Sequence, residues 1–143
     1  MGIVREGTLA RPLPAITDMN SYFWCGGKDG DLHILRCGAC GRYAHPYAGR
    51  CVGCGAKEMA PAAVSGRATV VGFSVNHQPW FPHVPVPYVV AIVTIEEQDD
   101  IYLVTDIVNC DASDVSIGMK VQVLFERYNN IFIPLFEPAG GNA

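Results

Sequence analysis

Charge is scarce in this chain. Asp, Glu, Lys and Arg make up 17% of its 143 residues, where globular domains ordinarily carry about 25%. A surface so thinly charged points to a partner covering part of it. Disorder is excluded, because it requires low hydrophobicity and high charge, and half of these residues are hydrophobic. Positive charge is scarcer still. Ten Lys and Arg stand against fourteen Asp and Glu, a net charge of −4, which argues against general nucleic-acid binding through phosphate contacts. Long apolar runs are missing too. The longest uncharged apolar stretch, Val84 to Ile95, has 12 residues and contains Pro85 and Pro87, whereas a membrane-spanning helix needs about 20. The opening MGIVREGTLARPLP has no apolar signal-peptide core, and Glu6 stands where a myristoylation signal wants Ser or Thr. The expectation is a cytoplasmic protein without a membrane partner, its cysteines reduced or metal-bound rather than disulfide-linked.

What is present is unevenly spread. Residues 1–60 hold seven Lys/Arg and five Asp/Glu, while residues 61–143 hold three and nine. Five of the six cysteines precede residue 55. The chain therefore divides into an arm and aromatic helix over 1–30, a four-cysteine ribbon over 31–60, a β-barrel over 61–138 and a tail over 139–143. Residues 1–14 read as an irregular arm. Thr17 and Asp18 are good helix N-caps, Met19, Tyr22 and Phe23 form an apolar stripe, and Gly26-Gly27 stops the helix. From Val64 the pattern becomes that of strands: Val64–Asn76 with bends at Gly66 and Gly72, Tyr88–Glu96, Ile101–Asn109, Lys120–Tyr128, and Ile131–Phe136. Pro134 suggests that the last is an edge strand. Asn129-Asn130 tolerates the left-handed geometry of a hairpin turn. Five strands with a short polar link between the third and fourth give the order of an OB-fold. The fold class expected is mainly β: a helix, a rubredoxin-like zinc ribbon, then a five-stranded OB barrel.

The most specific motif is Cys37-Gly-Ala-Cys40 with Cys51-Val-Gly-Cys54, ten residues apart. Two thiolates three positions apart on a tight turn point at one ion. Four make a closed, soft, tetrahedral site that suits one structural zinc, with iron as the chemical rival. Catalytic zinc keeps an open position, so this metal stiffens the ribbon rather than performing chemistry. His33 and His45 lie near the ribbon, but no ligand is missing, so they read as surface or supporting residues. Cys25 and Cys110 read as small semi-buried apolar residues.

His77 and His83 flank a loop, Gln78-Pro-Trp-Phe-Pro82, which runs on to Pro87 with four prolines in ten residues. Rigid aromatics on such a loop suit an interface or a flat-ringed ligand. Glu96, Glu97, Asp99 and Asp100 sit at a hairpin tip and read as solvated charge. The chain has no Gly-rich phosphate loop and no Ser–His–Asp order worth defending, so it reads as no enzyme by itself.

Taken as a whole, residues 15–138 resemble the zinc-ribbon OB-fold proteins, long filed as a domain of unknown function, that accompany thiolase-superfamily enzymes. The likeness rests on Phe23-Trp24, the Cys37/Cys40/Cys51/Cys54 ribbon, Gly72-Phe-Ser-Val75, the loop to Pro87-Tyr88, Ile117-Gly-Met-Lys-Val121 and Ile133-Pro-Leu-Phe136. The resemblance implies a non-catalytic subunit. Its partner would be a thiolase or steroid side-chain aldolase that makes or breaks C–C bonds in acyl-CoA thioesters, the two forming a heterotetramer. The complex, rather than this chain alone, would bind the CoA ester. Residues expected to face partner or substrate are Tyr22, Phe23, Trp24, His77, Trp80, Phe81, Pro82, His83 and Tyr88. Arg36, Arg42 and Arg50 are candidates for CoA phosphate contacts. The alternative is an OB module for single-stranded nucleic acid, which the acidic barrel half opposes. A free-standing enzyme would have to rest on Cys110 with His77.

Overall fold

The computed structural model describes residues 2–8, 11–46, 49–82 and 84–140. Among these, strand β1 (Ile3–Glu6) is followed by a single helical turn, α1 (Ser21–Trp24), and a 3₁₀ turn (Gly26–Asp29). The ribbon contributes β2 (Leu32–Cys37), β3 (Tyr43–Ala44) and β4 (Met59–Val64), in the order β3-β2-β4. The barrel follows with β5 (Arg67–Asn76), β6 (Tyr88–Ile95), β7 (Tyr102–Ile107), β8 (Lys120–Tyr128) and β9 (Ile131–Pro138). The order β8-β5-β6-β7-β9 closes because β9 also pairs with β8, and β7–β9 is parallel. That is a five-stranded closed OB barrel, as expected.

Alternation explains the barrel. On β6, Val89, Ala91, Val93 and Ile95 are buried while their neighbours turn outward. They meet Val70, Leu103, Val121, Phe125 and Phe136 in one core, which Leu32, Ile34 and Phe23 extend towards the ribbon. Two glycines are dictated by close approach. A Cβ on Gly27 would lie 2.5 Å from the Phe125 ring, and Gly66, at φ +82°, would meet Val123 at 2.5 Å.

Several expectations need correction. The arm is ordered in part: β1 pairs in parallel with Leu124–Arg127 of β8. Arg5 and Arg11 reach the buried Glu126 at 3.0 and 3.2 Å, and the Tyr128 hydroxyl donates to the same carboxylate. The helix is shorter than expected, because residues 17–20 form a turn. Asn20 and Ser21 amides donate to Thr17 O, and the Thr17 hydroxyl accepts from the Met19 amide. The last ribbon strand, β4, runs across the expected 60/61 boundary. The bend expected at Gly72 is present, as a register shift between Val70 and Gly72. Pro134 is not on a free edge: β9 pairs with β8 throughout, and the Thr105 hydroxyl donates to Pro134 O at 3.0 Å. Asn129 does take the left-handed conformation, at φ 60°.

The acidic turn is not simply solvated. Gln98 accepts from the Tyr43 amide and donates to Tyr43 O, and Asp100 pairs with Arg42. The β6–β7 turn therefore clamps the ribbon to the barrel. Glu97 accepts from the Ser65 amide, and Glu96 pairs with Arg67, which holds the Glu96 carboxyl below its usual range.

Candidate functional site

The two knuckles converge. The sulfurs of Cys37, Cys40, Cys51 and Cys54 all lie within 4.8 Å of one another, with Cys37–Cys54 at 3.6 Å and Cys40–Cys51 at 3.5 Å. A tetrahedron with metal–sulfur bonds of about 2.3 Å has sulfurs about 3.8 Å apart, so the four thiols fit one such ion. Antiparallel β2 and β4 set the first knuckle, pairing Cys37 with Met59, and Gly38 N donates to Glu58 O. Backbone amides then aim at sulfur: Ala39 and Cys40 at Cys37, and Gly53 at Cys51, at 3.3 to 3.4 Å. These amides favour thiolate, and the Cys37 and Cys51 thiols are held below their ordinary values, chiefly by the amides of Cys40 and Cys54 respectively. Cys37 and Cys51 are buried, while Cys40 and Cys54 face outward. Neither His33 nor His45 belongs to the cluster.

Beside the ribbon, α1 and residues 45–46 line an aromatic pocket of about 410 Å³ whose walls include Met19, Tyr22, Trp24, His45 and Pro46. Phe23 departs from its expected role: it is 7% exposed and belongs to the core. It braces the pocket, edge-on to Trp24 at 4.8 Å and against the His45 ring at 4.6 Å. Tyr22 Oη and His45 Nδ1 share a 3.2 Å hydrogen bond. Burial pushes the His45 ring down to about 4 and the Tyr22 phenol up to about 12, so both are neutral. Sequence reasoning set His45 aside as a surface or supporting residue. Its place next to Pro46, opposite an aromatic helix, was the available signal.

The proline loop stands away from the barrel. Trp80 is 66% exposed, its indole N–H donating to Asn76 Oδ1, and Phe81, Pro82 and His77 are exposed as well. Tyr88 is half-buried at the start of β6, and His83 lies outside the described residues. The arginines separate. Arg42 is held by Asp100, and Arg36 donates to Gly41 O and lies 5.0 Å over the Tyr43 ring. Arg50 is exposed. A shallow cavity brings His77 near Asp111 and Ser113. The neighbouring Cys110 thiol is pushed up by burial and then by Asp114 and Asp111, which disfavours a nucleophilic thiolate.

Residues 62–126 match the family described as "ChsH2, C-terminal OB-fold domain". The solved structure titled "Ltp2-ChsH2(DUF35) aldolase" contains a chain that superposes with a TM-score of 0.80 at 32% identity, covering 90% of this chain and all of that one. The chain belongs to the DUF35 family. A "DUF35 domain-containing scaffold protein" of Methanocaldococcus jannaschii is 37% identical over 65% of this DUF35 chain and 66% of the scaffold. A "Probable enoyl-CoA hydratase alpha subunit" of Thermomonospora curvata is 34% identical over 90% of this chain. The DUF35 chain spans only 40% of that longer subunit. Among the described residues, no helix is long and apolar enough to cross a membrane.

Proposed function

We propose that this DUF35 chain is a non-catalytic, zinc-stiffened subunit of a complex with a thiolase-superfamily enzyme acting on acyl-CoA thioesters. The observation that carries the reading is its 32% identity and 0.80 TM-score to the whole DUF35 chain of an aldolase complex. The absence of an acid–base or nucleophile constellation among the described residues supports it. Four thiols at tetrahedral spacing favour zinc over harder metals. The larger subunit supplies the chemistry, and this chain stabilises it and helps to wall the acyl-CoA channel in a heterotetramer. Tyr22, Trp24, Trp80, Phe81 and Pro82 are the contacts proposed for partner or substrate. Of the arginines, Arg50 is the one offered to CoA phosphates, since Arg36 and Arg42 serve the ribbon and its clamp.

Purification of the tagged chain from its native cells tests this reading. Near-stoichiometric recovery of a thiolase-superfamily subunit, with one zinc per chain by metal analysis, is the expected result. Recovery of the chain alone, or with nucleic acid, sinks the subunit reading. Iron in place of zinc corrects the metal.

A further inference from the structure

One side of the barrel is covered by the chain itself. Leu124, Ile133 and Leu135 turn away from the main core and form a second cluster with Trp24, Val108 and Tyr128, and Arg11 of the arm reaches both Asp106 and Glu126. Among the described residues, the side made by β5, β6 and β7 has no such cover beyond Arg11 at Asp106. Register places Gly72, Ile92 and Val104 in one row across three strands, with Tyr102 on the same face of β7. Val104 is 75% exposed and Ile92 42%. Val71 is exposed at the β5 irregularity, and Ile117, 70% exposed, lies alongside, its neighbour Gly118 donating to Val70 O. A Cβ on Gly72 would meet nothing within 4 Å, so the row carries an open notch.

The rim of this band is weighted towards acid. Asp99 stands by Tyr102, since Thr94, the register partner of Tyr102, donates to Asp99 O, and Asp114 precedes Ile117 by three residues. Neither has a cation within ion-pair distance among the described residues, and Asp106 is matched by Arg11. Lys120, bonded to Thr69, is the cation at one corner, while Arg67 and Arg127 are spent on Glu96 and Glu6.

We propose that this outer β5–β6–β7 face is a protein-docking surface, and that its occupant is a subunit with an apolar centre edged by Lys and Arg. The inference rests on the subunit reading above and identifies that occupant with the larger enzyme subunit. A second copy of the chain is the poorer fit, because it would set Asp99 and Asp114 of one net-negative chain against those of another.

The test takes the thiolase-superfamily subunit recovered with the wild-type chain, purified separately, and measures its binding to variants. Val104→Asp and Ile92→Asp weaken binding about tenfold or more, as charges introduced into an interface centre do. Ile3→Asp, whose exposure lies between those of Ile92 and Val104 but which is on β1, leaves it within about twofold. The double variant Asp99→Asn/Asp114→Asn slows association and flattens its salt dependence. Unchanged zinc content and circular dichroism show that the variants are folded. Wild-type binding that Val104→Asp leaves within about twofold overturns the face and spares the subunit reading. A wild-type chain that binds no such subunit, or that self-associates through Val104, overturns the proposal.

Discussion

His45 shares a hydrogen bond with Tyr22 and is largely withdrawn from water. Its ring titrates near 4 in the fold and near 6.5 in an unfolded chain. The stability that depends on its neutrality is complete above pH 6.5 and is lost as pH falls towards 4. At pH 5 the loss is at most about 2 kcal/mol. Thermal melts of wild type and His45→Gln at pH 7 and pH 5 check this: the wild type loses more between the two than the variant does. At the proposed zinc site, Cys51→Ser removes one of the two buried thiols, and the metal content should fall from one ion per chain to a small fraction, with the ribbon unfolding. The clustering of the four thiols was plain in the sequence, because it is local and the spacing of the two pairs is its own signature. Phe23 was placed wrongly for the opposite reason. An aromatic on the apolar stripe of a short helix reads the same whether it faces a partner or its own core.

Elements built from near neighbours were legible. The five barrel strands follow from alternation and turn residues, and β8 matches its expected bounds residue for residue. Elements made by distant pairing were not. Nothing in Ile3–Glu6 announces a parallel partner 121 residues later, yet Arg5 to Glu126 spans that separation. Glu126→Gln tests how much the arm depends on it. Removing the buried carboxylate leaves Arg5 without its partner while Arg11 keeps Asp106, so the cost falls below the roughly 3 kcal/mol of a fully buried pair. Amide exchange across residues 3–7 should quicken far more than across β6. The acidic turn was misjudged on the same ground, since Asp100 meets Arg42 across 58 residues and Gln98 meets Tyr43 across 55.

At the scale of the molecule, a cluster of four thiols in the ribbon and a bare apolar face on β5, β6 and β7 suit the proposed role of a chain that positions a partner's chemistry. The β6–β7 turn adds a coupling between them. Gln98 and Asp100 fasten the ribbon to the same hairpin that presents Ile92, Tyr102 and Val104. Anything that orders that hairpin also orders the ribbon, and thermodynamics makes the effect mutual. Under the proposals made above, a partner seated on the hairpin raises the affinity of the four thiols for a metal, by the same factor by which the metal raises affinity for the partner. Chelator titrations of the free chain and of the complex should differ by that factor, and cutting the clamp with Gln98→Ala should bring the two curves together.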